Sequence, residues 1–314
     1  MATDSVHVAA AVIIRNGKIL IAKRPQHLHQ GGLWEFPGGK VELDESVQDA
    51  LVRELSEELD IEATHYTPLI RIHHDYGDKK VLLDVWSVTA FEGEPHGREG
   101  QQTRWVSPAD LGGYDFPLAN RPILQSLRLP DRCLITPEPV DTSSFLAALK
   151  HSLQDGVLLV QLRAKSLEDI PYLKLAQAVE SLCHEFGATL ILNTWLENFQ
   201  QTHADGLHLS AERLMDLSKR PVSEDVLLSA ACHTQEEVEQ ANRFGLDLIF
   251  VSPVESTLSH PDTTPIGWQG LYELSEQACM PVYALGGMDY DDVDKAQRYG
   301  ARGIAAIRAL WHEV

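Results

Sequence analysis

Three carboxylates, Glu54, Glu57 and Glu58, stand in the pattern E-x-x-E-E. At positions i, i+3 and i+4 of a helix they share one face, where they repel one another unless a cation lies between them. Oxygen-only ligands suit Mg²⁺, with Mn²⁺ as the alternative, because these ions keep several waters and complete an octahedron with substrate phosphates. The three glutamates therefore predict a metal site and a phosphate-bearing substrate.

The surrounding chain supplies the helix. Ser46 is placed to cap it, Val47, Leu51, Leu55 and Leu59 recur at helical spacing, and Asp60 marks its end. Projection puts Glu54 and Glu58 in line with Val47 and Ala50 on the core-facing side and leaves Arg53, Ser56 and Gln48 outward. Ahead of the helix, Trp34-Glu-Phe-Pro-Gly-Gly39 forms a loop whose glycines let backbone approach a ligand, with the carbonyl of Gly38 able to face the metal. Val6 to Ile14 and Lys18 to Ala22 read as a hairpin across Asn16-Gly17. Arg24, in the polar loop that follows, is a candidate phosphate contact. Tyr66 to His74 and Lys80 to Phe91 read as further strands, joined by a turn at 75–80.

The stretch from Gly39 to Ile61 resembles the Nudix hydrolase signature, matching it at Gly39, Glu45, Arg53, Glu54, Leu55, Glu57, Glu58 and Ile61. Asp60 departs from it, standing where the family has glycine in a left-handed conformation that Asp tolerates better than most residues. Gly93-Glu-Pro-His-Gly-Arg-Glu-Gly-Gln101 and Phe116-Pro-Leu-Ala-Asn120 resemble the MutT-type branch, the diphosphatases of oxidised purine nucleotides. The likeness spans nearly all of residues 5–128. It implies a Nudix α/β/α sandwich with a mixed sheet. It also implies that Glu99 joins Gly38, Glu54, Glu57 and Glu58 at the metal, that Arg53 and Glu54 act in catalysis, Glu54 as ligand or general base, and that Asn120 reads the base. Phe36 is a candidate to stack on a purine.

A Pro-containing connection near residue 130 divides the chain into 1–130 and 131–314. Beyond it, CLIT, LLVQLR, TLILN, GLHL, VLLSAA, LIFV, PVYAL and GIAAI alternate with helical runs and predict a (β/α)₈ TIM barrel. Candidates at the carboxyl ends of its strands are Gln161, Arg163, Lys165, Asn193, His208, His233, Gly286 and Gly287. Val160-Gln-Leu-Arg-Ala-Lys165, Ala204-Asp-Gly-Leu-His-Leu209, Cys232-His-Thr234 and Ala284-Leu-Gly-Gly287 resemble thiamine phosphate synthase. The departures are as informative. Thr194 follows Asn193 where that family has Asp, Ser210-Ala-Glu-Arg213 replaces Gly-Gln-Asp-Asp, and Ser256-Thr-Leu-Ser-His260 replaces the lysine-bearing pyrophosphate loop. Without that metal carboxylate and cation, synthase chemistry is not expected. The barrel is expected to hold a phosphate-bearing ligand near Gly286 and Gly287, or to serve as a scaffold.

The net charge of −20 over 314 residues disfavours a nucleic-acid or anionic-membrane partner, and no apolar run is long enough to span a bilayer. The start, MATDSVHV, has no charged-then-apolar leader, and the 4 cysteines lack ligand spacing, so buried free thiols in the cytoplasm are expected. The reading that results is Mg²⁺-dependent hydrolysis of 8-oxo-dGTP to 8-oxo-dGMP and pyrophosphate by the first half, in nucleotide sanitation and hence DNA repair and replication. Its rivals are hydrolysis of a thiamine-pathway pyrophosphate, an active thiamine phosphate synthase with an accessory Nudix part, and a regulatory ligand-binding barrel.

Overall fold

The computed structural model describes residues 6–27, 30–75, 80–257 and 263–312, and divides into two compact units at Arg128/Leu129. In the first unit, β1 (Val6–Arg15) and β2 (Lys18–Lys23) form the expected hairpin. Asn16 at φ 53° and Gly17 at φ 71° supply the consecutive positive angles of its turn. β3 (Trp34–Glu35) extends the edge beside β2, and β4 (Gly38–Lys40) pairs antiparallel with β1. After helix α1 (Val47–Leu59), β5 (Glu62–Asp75) and β6 (Lys80–Glu92) form a long antiparallel pair. Residues 76–79 of the turn expected between them lie outside the described residues. β6 runs parallel to β1, so the seven-stranded sheet, completed by β7 (Thr103–Val106) beside β2, is mixed.

Alternation along β1 feeds two cores. Ala9, Ala11 and Ile13 face α1 through Ala50, Leu51, Leu55 and Leu59, whereas Ala10 and Val12 lie in a second cluster with Phe36, Val85, Leu111 and Ile123 of α2 (Arg121–Arg128). This is an α/β/α sandwich.

In the second unit, β8 (Arg132–Ile135), β9 (Leu159–Leu162), β10 (Thr189–Leu192), β11 (Gly206–Leu209), β12 (Leu227–Cys232), β13 (Leu248–Val251), β14 (Val282–Leu285) and β15 (Gly303–Ala306) close into a parallel barrel. Cys133, Leu159, Ile191, Leu248, Phe250, Tyr283 and Ala305 share one buried cluster, while a larger cluster joins strand residues to those of the surrounding helices. Cys133, Cys183 and Cys232 are buried free thiols, and Cys279 is a half-buried one. No helix among the described residues is long and apolar enough to cross a membrane.

Candidate active site

Helix α1 is built as its caps dictate. Ser46 accepts the N–H of Asp49 at 3.1 Å, and Asp60 adopts the left-handed conformation at φ 60°. The carbonyls at its carboxyl end are taken by the MutT-like loop. His96 and Arg98 donate backbone N–H groups to the carbonyls of Leu59 and Glu58, at 3.1 and 3.0 Å, and Gln101 Nε2 donates to Glu58 O at 3.1 Å. Backbone groups left open by a helix end thus anchor the loop that carries Glu99.

Arg53 corrects the projection. It is half-buried rather than outward, and its fork grips Glu45 through Nε and Nη2 at 2.8 and 2.9 Å. Its Nη1 donates to Glu54 at 2.8 Å and Glu57 at 3.3 Å, and its Nη2 reaches the carbonyl of Lys40 at 3.0 Å. These side-chain bonds, with the N–H of Glu42, hold the Glu45 carboxyl down to about 2 and raise Arg53 further above its ordinary value. An isolated helical wheel cannot show this, because Glu45 and Lys40 belong to the segment folded back over the helix. Arg53 is therefore the hub that sets the direction of two of the predicted ligands.

Glu58 points inward and accepts the backbone N–H of Gly38 at 3.1 Å. Burial, reinforced by Glu35, Glu54 and Glu99 against the opposing Gly38 bond, pushes its carboxyl up to about 8. The contact observed between Gly38 and the cluster is thus its N–H. A Cβ at Gly38, where φ is 145°, would stand 2.1 Å from the backbone carbonyl of Ala9, so glycine is required there, whereas one at Gly39 would stand 2.3 Å from the Glu54 carboxylate and would displace that side chain. Glu57 and Glu99 are exposed. Among the described residues no three His, Cys, Asp or Glu side chains are gathered as a metal-holding group. Arg53 draws Glu54 and Glu57 one way while Gly38 holds Glu58, so the predicted ligands share a neighbourhood without a preassembled shell.

Beside this cluster lies a cleft of about 120 Å³ lined by Arg24, Glu35, Phe36, Gly38, Pro117 and Asn120 among others. Arg24, Phe36, Gly38 and Asn120, assigned to the site from separate stretches of sequence, are thereby brought together. Asn120 closes a single 3-10 turn, Leu118–Asn120, in front of α2. It is 8% exposed, and its carboxamide has no hydrogen-bond partner among the described residues. One face of Phe36 is already stacked on Phe116, at 5.4 Å between centroids and 21° between planes. Arg24 is ion-paired with Glu35, which sequence reasoning missed. Burial raises the Glu35 carboxyl, with Arg24 opposing and Glu99 adding to the rise. The pair arises because β3 sits beside β2 in the register Ala22 to Glu35, which the intervening loop hides from the sequence.

In the barrel, Gln161 and Asn193 meet, Asn193 Nδ2 donating to Gln161 Oε1 at 3.4 Å. Arg163 pairs with Glu138 at 2.9 Å. Lys165 is exposed just past β9. Gly286 accepts the N–H of Glu255 at 3.0 Å, and Gly287 lies against Glu255 and Ser256. His208 is buried with Nδ1 at 3.0 Å from Ser229 Oγ, whereas His233 is exposed, its Nδ1 2.5 Å from the carbonyl of Ser252. Of the loop replacing the pyrophosphate lysine, Leu258, Ser259 and His260 lie outside the described residues.

Residues 9–126 match the family model of the NUDIX domain, and residues 132–310 match that of thiamine monophosphate synthase. The chain joins a Nudix pyrophosphohydrolase to a member of the thiamine monophosphate synthase family. Over 121 residues the Nudix part is 40% identical to the 8-oxo-dGTP diphosphatase of Escherichia coli, covering 38% of this chain and 94% of that protein. It is 44% identical over 121 residues to the CTP pyrophosphohydrolase of E. coli, again 38% of this chain and 90% of the relative. The synthase-family barrel is 35% identical over 181 residues to the Aquifex aeolicus protein named "Putative thiamine-phosphate synthase 2", covering 58% of this chain and 97% of that one.

Proposed function

We propose that the Nudix unit hydrolyses 8-oxo-dGTP to 8-oxo-dGMP and pyrophosphate with Mg²⁺, removing an oxidised precursor of DNA synthesis in the cytoplasm. The observation that carries this is the convergence of Arg24, Phe36, Gly38 and Asn120, whose carboxamide has no partner among the described residues, on one cleft beside the glutamate cluster. The donor set fits a hard divalent cation: every candidate ligand is an oxygen, and the crowding that pushes Glu58 up to about 8 is what a cation would relieve. Glu57, Glu58, Glu99 and the Gly38 carbonyl would hold it, with Mn²⁺ as a substitute, and Glu54 would either join them or act as the base. When bound, the metal supplies charge neutralisation for the phosphates.

The chain's own groups do the rest. Arg53 orients Glu54 and Glu57. If Glu54 is the base, it takes the proton of the attacking water as the bond between the nucleotide phosphates breaks. In the same cleft, oxidation at C8 turns N7 of guanine into a donor beside the O6 acceptor, and the Asn120 carboxamide offers the complementary acceptor and donor.

The 44% identity to a CTP pyrophosphohydrolase motivates a second reading, a pyrimidine triphosphate in the same cleft. Division near residue 130 leaves the barrel as a binding or scaffold module, since Thr194 stands where the synthase likeness implies a metal carboxylate, and its backbone carbonyl is taken by Arg213. Turnover of 8-oxo-dGTP, dGTP, CTP and thiamine-pathway pyrophosphates by the full chain with Mg²⁺ tests these readings together. Hydrolysis of only a thiamine-pathway pyrophosphate would overturn the nucleotide assignment.

A further inference from the structure

Residues 93–101 lie between β6 and β7, and one side chain among them, Gln101, joins two of the proposed metal ligands through their backbones. Its Oε1 accepts the N–H of Glu99 at 2.9 Å, and its Nε2 donates to the carbonyl of Glu58 at 3.1 Å. A carboxamide carries an acceptor and a donor on one planar group, so the two bonds together fix its orientation. The turn is shaped around this side chain. Gly100, at φ 79°, donates to the carbonyl of Gly97 at 3.1 Å, and a Cβ at Gly97 would stand 2.0 Å from the backbone carbonyl of Gln101 and 2.8 Å from its Oε1. Arg98 Nη1 donates to the carbonyl of Ser56 at 3.1 Å and lies 3.4 Å from Asp60, the residue that departs from the family glycine.

Glu99 needs such a hold. It is exposed, it stands near enough to Glu58 and Glu35 to add to the rise of both carboxyls, and its own carboxylate makes no hydrogen bond or ion pair among the described residues. Holding a long exposed side chain in one geometry costs conformational entropy, while a working site tolerates displacements of only about 0.5 Å. Its placement therefore depends on its backbone, whose N–H is bonded to Gln101. Glu58 is fixed at both ends, its carboxylate by the N–H of Gly38 and its carbonyl by the N–H of Arg98 and by Gln101.

We propose that Gln101 is a positioning residue of the metal site, setting the backbone of Glu99 against that of Glu58. This deepens the hydrolase reading and rests on it for the place of Glu99 among the ligands. Docking the loop on the helix end is already served by the backbone bonds of His96 and Arg98, so the side chain of Gln101 has the separate task of aligning Glu99.

The test compares the full chain, freed of metal, with Gln101→Met, which keeps the length of the side chain and loses both bonds, with Glu99→Gln, and with the double variant. Amide hydrogen exchange resolved by NMR should be about tenfold faster at the Glu99 N–H in Gln101→Met and unchanged at His96 and Arg98. Titration with Mn²⁺ alone, followed by electron paramagnetic resonance of the free ion, should show affinity about tenfold weaker in Gln101→Met. Gln101→Asn, too short to span both backbones, should weaken Mn²⁺ as much and carries the test if Gln101→Met misfolds. Because Gln101 acts through Glu99, the double variant should bind Mn²⁺ no more weakly than Glu99→Gln alone. Unchanged Mn²⁺ affinity in the Gln101 variants, exchange that quickens at His96 and Arg98 as much as at Glu99, or full additivity in the double variant would overturn the proposal. Wild-type Mn²⁺ affinity in Glu99→Gln would instead overturn the metal site on which it rests.

Discussion

Glu58→Gln should make the protein more stable and nearly inactive. The Glu58 carboxyl, pushed up to about 8 from an ordinary 4.5, keeps its proton in the folded chain at pH values where the unfolded chain has lost it. Stability from this group is therefore lost as pH rises from 4.5 towards 8, the reverse of a salt-bridged acid. At pH 7 the full shift would correspond to about 3 kcal/mol, and the partial solvent contact of the side chain reduces this to about 1–2 kcal/mol. Glutamine keeps an acceptor for the Gly38 N–H, bonded at 3.1 Å in the wild type, but cannot ionise. Thermal unfolding of the full chain in EDTA should show the Nudix transition raised by about 3–6 °C at pH 7 and by almost nothing at pH 4.5. Turnover should fall by about 100-fold or more, since a metal oxygen has lost its charge. A variant less stable at pH 7, a gain that does not depend on pH, or preserved turnover at saturating Mg²⁺ would refute the reasoning.

Arg53→Ala frees Glu45, Glu54 and Glu57 together, so kcat should fall by about 100-fold with a smaller change in KM; steady-state kinetics showing the opposite split would remove Arg53 as the hub. Residues 1–130 alone should hydrolyse the substrate, because every assigned catalytic residue precedes the connection. A folded fragment without turnover would show that the barrel completes the site. His208, buried and held at about 3 against an ordinary 6.5, stays neutral in the folded barrel, so its contribution is present above pH 6.5 and lost as pH falls towards 3. The loss is about 1.4 kcal/mol per pH unit in that window, and His208→Asn should flatten the acid limb of the barrel's unfolding curve. An unchanged slope would place the ionisation elsewhere.

Where local rules act alone, the sequence and the fold agree. Ser46 and Asp60 cap the helix because a side-chain acceptor and a tolerated left-handed angle are local properties, and the barrel strands follow from short apolar runs that need only burial. What stayed hidden depends on register and return of the chain. Arg53 looked outward until the segment bearing Lys40 and Glu45 was seen to lie over it. Glu35 sat unnoticed between Trp34 and Phe36 because its partner Arg24 is set by strand pairing across a loop. Arg213 registered only as a missing acid, since a motif comparison records what has been lost and not what its replacement touches.

The most direct measurement is the ratio of kcat/KM for 8-oxo-dGTP over dGTP, with CTP alongside, in the wild-type chain and in Asn120→Ala. Against guanine, the carboxamide oxygen of a buried Asn120 would face the N7 lone pair, an unpaired contact costing about 1–3 kcal/mol. That cost corresponds to roughly a 5- to 150-fold preference. The wild-type chain is predicted to prefer the oxidised nucleotide within that range or above it, and Asn120→Ala to narrow the ratio with the larger loss on 8-oxo-dGTP. Equal losses on both purines, no initial preference for the oxidised one, or faster turnover of CTP than of either would contradict the account.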